Sequence, residues 1–386
     1  MVCQYRTPPH KNRKPLPETF CFTPASCYVV YNDSRSYLKQ EGISPILYTN
    51  LFVLLFYKSV YSMKRSIFCI PLFLCAQVCL AQNHTIGIDT TLTINIGGIQ
   101  QVLKLIGTDI SKPVLLYLHG ASGNNYSLID NAGKLTSKLQ EHFLVALWDQ
   151  RDYGKTFALN KSPGPLSLDL IVSDTKEAID FLLKKFNRKK LYLVGHSMGC
   201  VEGIFIADKY PELLYALVEI SPPVNGIESQ KIGLSILKTH FAKVGNKRAI
   251  NELSRIKLPA RDFESLFLKY IWQSEYDGEH ISDTVRAEMQ PMMKKWMESP
   301  AASLSNEIFE MDFNKRFPSL KCPVYFFAGR KDFVTNSTLA EKYYNKLHAP
   351  KKHLFWFEKS AHGIPDTEPE LMQNIIINQV LANHRR

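Results

Sequence analysis

The 386-residue chain has little cysteine where a fold would need it. Six of its eight cysteines (Cys3, Cys21, Cys27, Cys69, Cys75 and Cys79) lie before residue 83, and only Cys200 and Cys322 follow. Two thiols in roughly 300 residues exclude a disulfide framework, so each reads as core filler. An excess of one charge is missing from the same stretch. The formal net charge is +11, but residues 1–82 hold 9 Lys/Arg against 3 Asp/Glu, and the remainder holds 38 against 33. That is an ordinary surface, with no basis for nucleic-acid binding. No internal repeat is visible. No apolar run reaches the ~20 residues of a spanning helix.

What is present begins with a targeting signature. Met63-Lys64-Arg65-Ser66 precedes an apolar run over residues 67–80, then Ala81-Gln82. A short basic region, an apolar stretch and a small terminal residue describe a secretory signal peptide spanning 63–81, cleaved after Ala81. A lipoprotein reading ranks second, because Leu74 and Val78 precede Cys75 and Cys79 where a small residue is needed. On this reading the protein is exported, periplasmic or secreted. Residues 1–62 are then an upstream extension outside the fold, and no membrane anchor remains after cleavage. The alternative is a chain beginning at Met1 and anchored by its N-terminal apolar segments, including residues 46–57.

At 45% hydrophobic residues the chain can bury a sizeable core. Residues 88–96 and 99–106 flank Gly97-Gly98 and predict a β-hairpin. Short continuous apolar runs at 113–118, 143–148, 191–194, 214–220, 324–328 and 353–357 predict strands, most of them buried on both faces. Helical spacing predicts helices at 130–141, 167–186 (with Ser167 as cap), 201–210, 337–347 and 371–383. Residues 224–318 carry helical segments and no buried strand run. The pattern is a mainly parallel sheet covered by helices, with core segments 83–223 and 319–386 and a helical cap at 224–318.

One stretch carries chemistry. The apolar run 191–194 meets Gly195-His196-Ser197-Met198-Gly199, and an amphipathic segment follows. Strand, Gly-x-Ser-x-Gly and helix in that order make a nucleophile elbow. A serine hydroxyl needs a base to take its proton and an acid to orient that base. The base candidate is His362, after the last strand; the acid candidate is Asp332 in Gly329-Arg330-Lys331-Asp332, after the strand before it. Both sit at carboxyl ends of strands, where open α/β sheets place sites.

These motifs, with His119-Gly120-x-x-Gly123, resemble the α/β-hydrolase superfamily over about residues 88–384. The resemblance implies an α/β-hydrolase fold: an eight-stranded, mostly parallel sheet with helices on both faces and a cap after the sixth strand. It implies a Ser197–His362–Asp332 triad working without metal or organic cofactor. It also implies an oxyanion hole made by the N–H groups of Ala121 and Met198, with His119 as a structural residue. Asp149-Gln150-Arg151 with Gly154 resembles proline iminopeptidase-like enzymes, which remove N-terminal residues from short peptides. Asp152 departs from that pattern, standing where those enzymes have glycine, as does Met198 where tryptophan is common. They bind the free amine through cap glutamates. Glu202, Glu275 and Glu279 are the weak candidates here, with Trp272 in an aromatic, methionine-rich cap suggesting an apolar pocket; solvated helix charges and ordinary cap packing are the plain alternatives. Arg151 and Asp149 read as a structural pair. Serine at the elbow argues against the dehalogenases and epoxide hydrolases of this fold. Aminopeptidase leads; a carboxylesterase or lipase-like enzyme for small apolar esters, and a non-catalytic binding protein on the same fold, are the alternatives.

Overall fold

The computed structural model describes residues 86–121, 126–298 and 300–382. The signal segment at 63–81, the extension at 1–62 and Gly123 lie outside these. The hairpin forms as expected: β1 (Ile88–Ile96) and β2 (Ile99–Gly107) pair antiparallel. Both turn residues, Gly97 and Gly98, have positive φ (56° and 78°), the geometry of a two-residue turn that matches strand twist. β1 alternates between exposed and half-buried positions, as an edge strand with one wet face should.

The other strands are β3 (Val114–Leu118), β4 (Leu144–Asp149), β5 (Leu191–His196), β6 (Leu214–Ile220), β7 (Val324–Gly329) and β8 (Lys352–Phe357). They form one eight-stranded sheet in the order β1-β2-β4-β3-β5-β6-β7-β8. β2 meets β4 antiparallel, and every pair from β4 onward is parallel. β3, β4 and β7 are buried at every position, which is why they read as unbroken apolar runs. The two faces of the sheet carry separate apolar clusters.

In chain order the helices are α1 (Ala132–Thr136), α2 (Gly154–Leu159), α3 (Leu168–Lys185), α4 (Met198–Lys209), α5 (Gly226–Lys243), α6 (Lys247–Ser254), α7 (Phe263–Tyr276), α8 (Asp283–Met297), α9 (Pro300–Glu310), α10 (Phe313–Arg316), α11 (Ser337–Lys346), α12 (Ile364–Thr367) and α13 (Pro369–Ile375). Ser167 caps α3, accepting from Leu170 N–H at 3.3 Å. The helix expected over 130–141 is instead α1 flanked by two single 3₁₀ turns. The cause is tertiary. Gln373 Oε1 accepts from the N–H groups of Lys138 (2.9 Å) and Leu139 (3.3 Å), drawing both donors out of a continuous helix. α2 was not foreseen from sequence; Asp149 Oδ2 accepts from Lys155 N–H at 2.9 Å and starts it.

The insertion after β6 holds α5 to α9. Its neck closes where Asn225 bridges Asp312 and Phe313 N–H donates to Val224 O at 2.8 Å. Beyond that point Phe317 meets Phe205, and Phe313 meets Tyr343, edge to face in the main core. The insertion has its own apolar centre of Leu237, Phe241, Leu253, Ile271 and Trp272, which also takes in Phe333. Its aromatic and methionine content is therefore packing: Phe267 and Trp272 are buried there, Phe263, Tyr270, Tyr276 and Met293 lie against it, and Met292 is exposed.

Candidate active site

The elbow is built by close approach. A Cβ on Gly195 would lie 2.4 Å from Gly199 O, and one on Gly199 would lie 2.5 Å from Leu118 O. Only glycine at both positions lets α4 start directly against β5 and β3. Between them Ser197 holds φ 53°, ψ −111°, a strained conformation for a residue with a side chain. Met198 opens α4, and the first N–H groups of a helix have no intrahelical acceptor. Its thioether is buried and takes the Tyr153 hydroxyl at 3.9 Å.

His362 arrives on the loop after β8. Its Nε2 lies 3.0 Å from Ser197 Oγ and its Nδ1 lies 3.0 Å from Asp332 Oδ2. The loop can come this close because Gly329 ends β7: a Cβ there would lie 2.1 Å from Ala361 O. Asp332 is buried and accepts Val334 N–H (2.9 Å), Thr335 N–H (3.1 Å) and the Thr335 hydroxyl (2.8 Å). Burial alone would raise its pKa. The neighbouring His362 and the Thr335 bonds together outweigh burial and hold the carboxyl below its usual range.

Three supporting residues were missed from sequence. His196 Nε2 lies 3.1 Å from His362 O, and the Ser221 hydroxyl donates to the same carbonyl at 3.0 Å. Thr335 braces Asp332 and also lies 3.3 Å from His362 Nδ1. Burial, with His362 beside it, pushes the His196 pKa down to about 4, so this ring is neutral and its Nε2–H is the donor. The available signals were the Asp-x-x-Thr turn for Thr335 and the β6 terminus for Ser221, which takes φ 51°.

His119 is buried. Its Nδ1 donates to Gly120 O at 2.8 Å, and its Nε2 accepts from Gln150 N–H at 3.3 Å, so both ring nitrogens are used in holding the loop. Gly120 approaches so closely that a Cβ would lie 3.0 Å from Ser197 Cβ. Ala121, exposed, follows directly. Cys200 fills core behind the elbow; burial raises its thiol well above its ordinary value.

Other sequence candidates are placed elsewhere. Glu202 is fully buried behind the elbow, bonded by Thr175 and Gln150, with no face open to a ligand. Glu275 accepts from Ile281 N–H at 2.9 Å, and Glu279 is exposed beyond the end of α7. Trp272 is locked in the cap by its bond to Glu252 (2.9 Å) and the Arg286 guanidinium over its ring (4.8 Å). Arg151 pairs with Asp174, not Asp149, at 2.8 Å. Asp149 instead takes the Ser127 hydroxyl at 2.7 Å and the N–H groups of Ile129 and Lys155. Asp152 takes φ 64°, a conformation where glycine would sit without strain. Asp277, just after α7, is exposed; partial desolvation, with Glu279 and Asp332 adding, raises its carboxyl. Among the described residues no cluster of His, Cys, Asp or Glu could hold a metal ion.

The sheet order, the elbow and the insertion after β6 define an α/β-hydrolase, and the protein is a hydrolase of that superfamily. The family profile described as serine aminopeptidase S33 matches residues 111–370. The chain belongs to that family. "Probable aminopeptidase YbaC" of Bacillus subtilis (strain 168) is 27% identical over 318 residues, covering 76% of this chain and 95% of that protein. Proline iminopeptidase of Mycobacterium smegmatis shares the fold with TM-score 0.53 at 15% identity, covering 77% of this chain and 99% of its own. The Pyrococcus furiosus esterase Pf2001 does so with TM-score 0.51 at 15% identity, covering 78% and 92%.

Proposed function

We propose that this protein is a serine aminopeptidase that removes N-terminal residues from short peptides. The observation that carries the proposal is the unbroken chain Ser197 Oγ–His362 Nε2 and His362 Nδ1–Asp332 Oδ2, each link 3.0 Å. His362 Nε2 takes the Ser197 proton as Oγ attacks the scissile carbonyl carbon. The N–H groups of Ala121 and Met198 receive the oxyanion. As the tetrahedral intermediate collapses, His362 returns the proton to the leaving amine, and the acyl group stays on Ser197. Water, deprotonated by His362, then releases it. Asp332 stays ionised and orients the imidazole, while His196 and Ser221 fix the loop that carries it.

Amine recognition calls for a carboxylate that the free amine of a bound substrate can reach. The test compares aminoacyl arylamides bearing free and blocked amines, alongside aryl esters. Activity that collapses on blocking supports the aminopeptidase. Indifference to blocking would make it an esterase. Export through the segment at 63–81 is part of the same proposal. N-terminal sequencing of the mature protein should begin at Gln82; an intact Met1 or Met63 would refute it.

A further inference from the structure

Glu202 lies on α4, one turn beyond the elbow, enclosed by α3 and the loop after β4. The Thr175 hydroxyl lies 2.7 Å from Glu202 Oε2 and also 2.8 Å from Ile171 O. A hydroxyl has one proton and cannot donate to both. A proton on Glu202 resolves this. Oε2–H then donates to Thr175 Oγ, and the threonine proton goes to the Ile171 carbonyl, the back-bond of a helical threonine. No cation faces the carboxyl among the described residues. The charge that acts on it is Asp174, already bound by Arg151, and it opposes a second anion. Tyr153 and His119, the other titratable groups packed here, are both held neutral by burial. Burial foremost, with Asp174 adding, pushes the Glu202 pKa up to about 8 against the bonds from Thr175 and Gln150.

From Glu202 a chain of contacts runs to Gly120, the residue before Ala121, and to the side chain of Met198. Glu202 Oε2 is bonded by Gln150 Nε2. Gln150 N–H donates to His119 Nε2, and His119 Nδ1 donates to Gly120 O, the residue before Ala121. Tyr153 packs on His119 with ring centroids 4.5 Å apart and reaches the Met198 thioether. We propose that Glu202 is held as a neutral carboxylic acid and acts as a positioning residue, locking Gln150 and thereby the His119–Gly120–Ala121 loop against the elbow helix. The inference rests on Ser197 being the nucleophile. Ionising Glu202 on the alkaline side leaves an anion with no cation to face, and the lock loosens. The donors act on the transition state, so the loss falls on kcat and spares KM.

Two variants of the full chain test this. Glu202→Gln is a neutral isostere whose amide NH2 can donate to Thr175 Oγ and, with the Gln150 amide turned over, to Gln150 Oε1, which is otherwise unpartnered; Glu202→Ala can do neither. Glu202→Ala should lower kcat by about 10²-fold, the cost of misaligning an oxyanion donor, with KM changed by less than about threefold. Glu202→Gln should restore kcat near neutral pH to within about threefold of wild type. It should also abolish the alkaline decline expected of wild type as Glu202 ionises. The infrared difference spectrum of wild type against Glu202→Gln should contain the carbonyl band of a protonated carboxyl at neutral pH; this reading needs no activity and isolates Glu202 from Glu219, the other buried acid with a raised pKa. A wild-type kcat in Glu202→Ala, a persistent alkaline decline in Glu202→Gln, or a missing band would overturn the proposal. Where Glu202→Ala fails to fold, the pH profile and the band still decide. If wild-type Ser197 resists an active-site phosphonate, the nucleophile assignment fails instead, and the infrared result stands apart from it.

Discussion

Arg151 and Asp174 form an ion pair whose side chains are 3% and 2% exposed. Arg151 Nε donates to Asp174 Oδ2 at 2.8 Å and Nη2 donates to Oδ1 at 3.1 Å, a two-pronged contact. Asp174 also accepts from Gln101 Nε2 at 2.8 Å, and Arg151 Nη2 donates to Gly97 O at 2.8 Å. The pair thus joins the hairpin, the loop after β4, and α3. It fits so closely that a Cβ on Gly97 would lie 1.9 Å from Asp174 Oδ1. Replacing Arg151 by methionine leaves Asp174 buried with one neutral donor. Breaking one partner of such a pair costs about 3–5 kcal/mol, because the remaining charge is desolvated and unmatched. Asp174→Leu should cost a similar amount. The double variant should recover part of the sum, since two apolar side chains leave no orphaned charge, giving a coupling of about 2 kcal/mol or more. Equilibrium urea unfolding of the four proteins at constant pH and salt measures the cycle. A cost below about 1 kcal/mol for Arg151→Met, or strict additivity in the double variant, would refute the reasoning.

Gly195→Ala should destabilise by about 3 kcal/mol or more and abolish activity, because the new methyl meets backbone at 2.4 Å; a thermal midpoint within a degree of wild type would contradict that geometry. His196 has a folded pKa depressed to about 4 against an ordinary 6.5, so its contribution is present above pH 6.5 and is lost as pH falls through 4. His196→Gln should flatten the stability profile between those values by about 1–3 kcal/mol, read from urea midpoints across the range. Burial in the cap lowers Lys269 to about 8, so its charge is a penalty at neutral pH that fades as pH rises from 8 to 10.5. Lys269→Met should be more stable than wild type by about 1–3 kcal/mol at pH 7, the gap narrowing above pH 8; a constant gap would show that charge is not its source.

Much of the scaffold was legible because its physics is local. β3, β4 and β7 are unbroken apolar runs because helices cover both faces, and Gly97-Gly98 declares its own turn. The positions of Ser197, Asp332 and His362 followed from the rule that sites gather at strand ends. Partner choice was not legible. Asp149 and Arg151 are near neighbours in sequence, yet each bonds elsewhere, to Ser127 and to Asp174, because the chain turns between them. The break after α1 depends on Gln373, 235 residues away from Lys138, which no local pattern can report. Glu202 looked like a surface charge on a helix because α4 is hidden on nearly every side, and its amphipathic pattern is correspondingly weak.

The central claim is that Ser197 is a nucleophile activated by His362. Treating the purified protein with a fluorophosphonate and mapping the adduct by peptide mass analysis tests it directly. The account expects a single stoichiometric adduct on Ser197, abolished in Ser197→Ala and slowed by several orders of magnitude in His362→Ala. An adduct that persists in Ser197→Ala, or wild-type protein that resists the probe while hydrolysing substrate, would contradict it.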